Sequence, residues 1–216
     1  MPTRFRDLTL DAFIGHLASA EPVPGGGSTS AVVASFAAGL VTMVAALSEG
    51  RPRYAAHAAA HARARAAGQE LADRLLHLAD DDAAAYAGFS AALKLPRETA
   101  EDQARRSTAL RAAARSAAEE PLRCVEACLE VVAAAELIAG RSNVNASSDL
   151  TVAALLGEAA ARGAAANVMV NLGPAGDDAW ASEMTARTDG LMTRIAALSA
   201  ATQAIVASGE SRPPAG

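Results

Sequence analysis

The sequence predicts an all-α fold, an up-and-down antiparallel bundle of about seven helices, and three features of the 216-residue chain carry that reading. Alanine supplies 59 residues, more than a quarter of the chain, and alanine is the best helix former. Aromatic residues make up 3% and prolines number nine, so the residues that strands and turns want are scarce. Hydrophobic residues reach 51%, enough to bury a core and too many for a disordered chain. A mass of 21.8 kDa suits one domain. We place it over residues 1–208, with residues 209–216 as a flexible tail.

The elements follow in order. Thr9 is placed to cap a short helix over Leu10 to Ala20, with Phe13, Ile14 and Leu17 on one face. Pro22, Pro24 and three consecutive glycines end it. A second helix begins near Gly27 and stops before the turn from Ser48 to Arg53. Its stretch from Thr29 to Leu47 runs nineteen residues without a charge, close to the ~20 that cross a bilayer. Alanine, serine and threonine dilute it and no aromatic belt flanks it, so it reads as the buried central helix of a bundle. A long third helix covers Tyr54 to Leu93 and closes at Leu95-Pro96. A fourth covers Glu98 to Glu119. Pro121 is read as standing in the first turn of a fifth helix that ends near Ala139. Gly140 to Asp149 is a loop rich in asparagine and serine. Ser147 or Ser148 then caps a sixth helix to Leu172, and a seventh runs from Asp178 to about Ser208. Short connections make neighbours antiparallel.

Charge and cysteine usage narrow the function classes. The net charge is −5, and a nucleic-acid partner would want a concentrated basic face instead. Cys124 and Cys128 stand four apart on one helix face and read as small buried apolar side chains, since no neighbouring His or acid completes a metal site. His57 and His61 share a spacing of four but sit among Ala and Arg, and read as an exposed pair. No metal is expected. The segment Met1 to Asp7 lacks the apolar run of a signal peptide. A soluble cytoplasmic protein without a membrane partner is the expectation.

Four segments look chemical. In PVPGGGSTSA, from Pro22 to Ala31, three glycines run into an uncharged helix. Such a loop lets a ligand approach backbone N–H groups at a helix N-terminus, or serves as a hinge. Asp80, Asp81 and Asp82 point about 100° apart. Of the three, Asp82 shares a stripe with Leu75, Leu78, Tyr86 and Phe89, where desolvation raises a carboxyl pKa toward that of a working acid or base; as a structural residue it would be an ion-pair partner. The Asn143–Asp149 loop is the third segment, and Asn167 with Asn171 the fourth. Asp149 and Asn167 lie on one helix face but ~27 Å apart. They therefore serve two ends of a long groove, or one of them faces a second subunit. Between them the small-residue stripe Ala153, Leu156, Ala160 and Gly163 reads as a packing seam and a candidate dimer contact.

Together these segments resemble the cyclodeaminase/cyclohydrolase family. The resemblance is carried by PVPGGGSTSA, by GRPRY from Gly50 to Tyr54, and by DDDAAAYAGFSAALKLPRET from Asp80 to Thr99. It continues with EPL at Glu120 to Leu122, SNVNASSDLTVAALL from Ser142 to Leu156, and GAAANVMVNL from Gly163 to Leu172. These pieces span almost the whole chain. The resemblance implies a helical homodimer and tetrahydrofolate one-carbon chemistry. That chemistry is closure of 5-formiminotetrahydrofolate to 5,10-methenyltetrahydrofolate with loss of ammonia or, at the same site, hydrolysis of the methenyl compound to 10-formyltetrahydrofolate. No cofactor beyond the folate substrate is implied. By position it makes Asp82 the proton-transfer residue, with Pro24, Gly25, Gly26, Gly27 and Ser28 on one pocket wall. Asn143, Asn145, Ser148 and Asp149 form another, and charge alone suggests Arg105 or Arg106 for the glutamate tail. Ser142 departs from the family's usual glycine, and Ala85 stands where some bifunctional members carry cysteine. Two further readings stay open: a family member acting on a non-folate amidine or imine, and a non-catalytic helical dimerisation module.

Overall fold

The structure is a computed structural model that describes residues 4–215, so Met1 to Thr3 of the N-terminal segment and Gly216 of the tail lie outside the described residues. Those described form six α-helices and no strand: α1 (Leu10–Leu17), α2 (Gly26–Ala46), α3 (Ala58–Leu93), α4 (Ala100–Ile138), α5 (Ser147–Leu172) and α6 (Asp178–Ser208). Consecutive helices from α2 to α5 pack against each other, and α5 returns to α2, which closes a four-helix core. The last helix, α6, lies outside it against α4 and α5.

The expected break at Pro121 is absent, and that accounts for six helices where about seven were expected. Pro121 lies inside α4. Proline has no N–H to give the carbonyl four residues back, here that of Ala117. The missing donor is replaced from another helix, because Asn171 Nδ2 on α5 donates to the Ala117 carbonyl at 3.0 Å. With that group satisfied, the alanines on both sides keep the helix continuous. Upstream, the Thr99 hydroxyl caps α4 by accepting from Asp102 N–H at 3.1 Å.

Small side chains bring the axes close. Buried Ala34, Ala37, Ala38, Val41, Val44 and Ala45 of α2 share one core with Leu71 and Leu75 of α3, Val131 and Val132 of α4, and Ala153 and Ala160 of α5. A Cβ on Gly68 would stand 2.8 Å from the Ala38 carbonyl oxygen, and one on Gly157 would stand 2.7 Å from Val132. The stripe from Ala153 to Gly163 is therefore occupied inside the chain, with Ala153 and Ala160 buried and Gly163 set against Ser30 of α2. Ala153 and Ala160 offer no surface to a second copy. The central helix in turn is not covered all round: Phe36 at its midpoint, Met43 in its last turn and the cap residue Leu47 form an open stripe, 49%, 39% and 40% exposed. Both α2 and α6 are long and apolar enough to cross a membrane by composition. The first is packed into the core; the second lies outside it and carries Glu183, Arg187, Asp189 and Arg194.

Local corrections have simple causes. No serine caps α5; Asn143 instead accepts from Asn145 N–H at 3.1 Å and starts a 3₁₀ turn, Val144–Ala146, that feeds the helix. His61, expected to be exposed, is fully buried, its Nε2 3.0 Å from the Arg141 carbonyl oxygen. The tail runs back onto the end of α4. Arg212 N–H donates to the Gly140 carbonyl at 2.9 Å, its guanidinium pairs with Glu136 at 2.8 Å, and Arg141 Nε donates to the Pro213 carbonyl at 2.7 Å.

Candidate active site

The N-terminus of α2 has no cap of its own, because Gly25 occupies the cap position in extended conformation. The partner comes from the middle of α3. Asp82 Oδ2 accepts from the Ser28 hydroxyl at 2.8 Å. A Cβ on Gly27 would stand 2.6 Å from the Asp82 carboxyl carbon, so the carboxylate occupies the space that this glycine leaves. Burial raises the Asp82 pKa above the ordinary aspartate value, against the lowering pull of the Ser28 hydroxyl and main-chain N–H. A carboxyl held this way exchanges protons closer to neutrality.

Asp82 opens onto a cavity of about 390 Å³. The glycine main chain from Gly25 to Gly27 forms one side, and Tyr86 and Phe89 extend the α3 wall one and two turns beyond Asp82. Asn167, Val170 and Asn171 of α5 face them. Tyr86 and Phe89 give the cavity apolar faces for a flat ring, while the α5 wall is polar at two points. The other two acids of the triplet go elsewhere. Asp80 Oδ1 accepts from Phe5 N–H at 2.7 Å and ties down the N-terminal segment. Asp81 lines a separate cavity of about 550 Å³ between α3 and α4, with Glu120 and Arg123.

The residues expected at the site thus fall into two groups. Gly25, Gly26, Gly27 and Asp82 line one cavity, Ser28 bonds to the carboxylate, and Pro24 is buried beside the glycines. The Asn143–Asp149 loop lies at the other end of α2. Asn143 N–H donates to Ser48 Oγ at 2.8 Å and Val144 N–H to Tyr54 Oη at 3.1 Å. The 21 residues of α2 separate the two ends, ~30 Å at 1.5 Å per residue. Asn143, Asn145, Ser148 and Asp149 therefore do not reach Asp82 within one chain; the loop is tied instead to Ser48 by Asn143 and to Tyr54 of the GRPRY turn by Val144. The link between Asn171 and Ala117 was not foreseen. Its signal was Pro121 inside a strongly helical stretch, which leaves a carbonyl in need of a donor.

A helical bundle that desolvates one carboxylate against a glycine-floored cavity has a group that can exchange a proton with a molecule bound there. The chain belongs to the formiminotransferase-cyclodeaminase family, whose model matches residues 9–190. It is 35% identical over 190 residues to a methenyltetrahydrofolate cyclohydrolase of Methylorubrum extorquens, covering 88% of this chain and 91% of that protein. It is 33% identical over 186 residues to the formimidoyltransferase-cyclodeaminase of Rattus norvegicus, covering 86% of this chain but 34% of that longer protein. The structure of a formiminotetrahydrofolate cyclodeaminase from Thermotoga maritima shares the fold. Its TM-score is 0.85 at 24% identity, over 94% of this chain and 98% of that one.

Proposed function

We infer that the chain is a folate one-carbon enzyme that closes 5-formiminotetrahydrofolate to 5,10-methenyltetrahydrofolate with release of ammonia. The observation that carries this reading is the desolvated Asp82 carboxyl beside a cavity with aromatic and amide walls. In the closure a ring-side N–H nitrogen attacks the formimino carbon, and a tetrahedral carbon carrying three nitrogens forms. Asp82 takes the proton from the attacking nitrogen and delivers it to the terminal amine, which leaves as ammonia. The formimino group enters as its amidinium cation, so its nitrogen is already NH₂ in the tetrahedral adduct; the N–H proton moved by Asp82 completes ammonia, and the charge brought in by the amidinium stays on the methenyl product.

A second reading has its own support. The full-length relative from Methylorubrum extorquens is named a cyclohydrolase, and the same carboxyl can take a proton from water attacking the methenyl carbon. One assay separates them. Incubating the protein with each substrate while following methenyl absorbance gives a gain for the deaminase and a loss for the hydrolase. No change with either overturns both.

A cavity of about 250 Å³ lined by Arg97, Arg106 and Arg111 supports a ligand with an anionic tail. Along α4 its Leu110 lies on the stripe of Ala117, seven residues or ~10 Å from the Asp82 cavity. Arg106 fits the tail role, whereas Arg105 pairs with Asp102 at 3.0 Å. The protein acts as a soluble cytoplasmic homodimer, and the open apolar stripe of Phe36, Met43 and Leu47 on α2 supports that assembly. Light scattering at micromolar concentration should return twice the 21.8 kDa chain mass; the single mass would sink the dimer.

A further inference from the structure

The α5 wall of the cavity holds two asparagines one helical turn apart whose amides have only one possible orientation. Asn167 Nδ2 lies 2.9 Å from the Gly163 carbonyl oxygen. Asn171 Nδ2 lies 2.9 Å from the Asn167 carbonyl oxygen and 3.0 Å from that of Ala117. A carbonyl oxygen can only accept, so the atom facing it must be the NH₂ group in each case. The other amide atom is therefore Oδ1 in both residues. Neither Oδ1 accepts a hydrogen bond from the protein among the described residues, and both side chains line the cavity.

Pro121 makes the second orientation rigid. Because proline leaves the Ala117 carbonyl without its helical donor, Asn171 supplies one, and its side chain is held between two carbonyls on two different helices. A third acceptor, the Asp82 carboxylate, lines the same cavity. A wall of fixed acceptors selects a ligand edge made of N–H donors and disfavours one made of carbonyls.

We propose that Asn167 and Asn171 recognise the ring of the ligand, their two Oδ1 atoms accepting from the 2-amino group and the adjacent ring N–H of a pterin, with Pro121 as the positioning residue for Asn171. This rests on the folate reading above and extends it to the group that selects the ring. The two asparagines bind the part of the substrate remote from the reacting carbon, so they determine which ring enters rather than how fast the bond forms.

The test is equilibrium binding of two probes to the full chain: tetrahydrofolate, and its analogue with methyl in place of the 2-amino group. The unaltered protein should bind tetrahydrofolate about tenfold or more tightly than the analogue, the effect of leaving a buried acceptor unpaired. Asn171→Ala should remove most of that preference, but it also strands the Ala117 carbonyl. The double variant Pro121→Ala/Asn171→Ala repairs this defect, because residue 121 then donates its own N–H to Ala117 while the pocket oxygen stays absent. In the double variant the melting temperature should be retained and the preference should still be lost. If the double variant discriminates like the unaltered protein, Asn171 is only a brace between α4 and α5 and the proposal is overturned. The same holds if the unaltered protein binds both probes equally. Binding of neither probe removes the folate reading and this proposal with it.

Discussion

Asp82→Asn is expected to lower turnover by about 10²–10⁴-fold, the usual effect of removing a positioned acid or base. Asn matches the shape of Asp and still accepts from Ser28, so the cavity keeps its form and only proton exchange is lost. The stability of this variant gives an independent sign. The Asp82 pKa is raised in the folded chain, chiefly by burial. A raised carboxyl contributes stability that is fully present below its unfolded pKa and is lost as pH rises through its folded pKa. Above that folded pKa the ionised, half-buried carboxylate is thus a burden on the fold. There Asp82→Asn should melt no lower than the unaltered protein, and any advantage should vanish in acid. Its loss of activity then cannot be blamed on unfolding. The activity of the unaltered enzyme should also fall on the acid side at a pH above the ordinary aspartate range. Asp81→Asn, in its separate cavity, should leave turnover within about twofold, as surface substitutions usually have small effects. A turnover loss at Asp81 as large as that at Asp82 would move the catalytic group to the cavity shared with Glu120.

Gly27→Ala should be nearly as damaging. The added methyl would lie 2.6 Å from the Asp82 carboxyl carbon, too close for either group to stay in place. Shifting the carboxylate breaks its bond to Ser28 and moves it from the reacting atoms, and a displacement of about 1 Å can cost 10²-fold in rate. Gly39→Ala is the control: it lies on the same helix away from the cavity, and its methyl would meet nothing within 4 Å. Turnover and circular dichroism on the pair decide the matter. A low rate with unchanged helicity in Gly27→Ala, beside near-normal Gly39→Ala, assigns the glycine to housing the carboxylate. A mild effect of Gly27→Ala, equal to that of Gly39→Ala, would mean that the loop is a hinge.

The helices were legible because alanine content, period and breakers all agree, as at Thr9 and Pro96. The break at Pro121 was misread because the donor that repairs it lies 50 residues on, at Asn171, and local pattern has no access to such a partner. The stripe of Asp82 with Leu75, Leu78, Tyr86 and Phe89 could be read because helical period alone fixes which residues share a face. The distance between the Asn143 loop and Asp82 was half visible: the separation along α5 follows from residue count, but nothing local shows that the loop packs on Ser48 and Tyr54. The open stripe on α2 was hidden for a related reason. An uncharged helix looks the same to the eye whether three or four sides are covered, and only the packing of its neighbours tells which.

The alanines that line α2 restrict how such a chain can drift. Ala34, Ala37 and Ala38 are fully buried, and no smaller side chain exists except glycine, which weakens a helix interior by roughly 0.5–1 kcal/mol. Any larger residue would wedge α2 away from its neighbours, with overpacking costs of typically 1–3 kcal/mol. These positions are closed in both directions. Substitution is thereby restricted to the outward faces, and the spacing between α2 and α3 is held fixed. That spacing is what sets Asp82 against Ser28. The least chemical residues in the sequence thus act as its ruler, and a reaction that a displacement of about 1 Å can slow 10²-fold is kept in register by side chains outside the cavity.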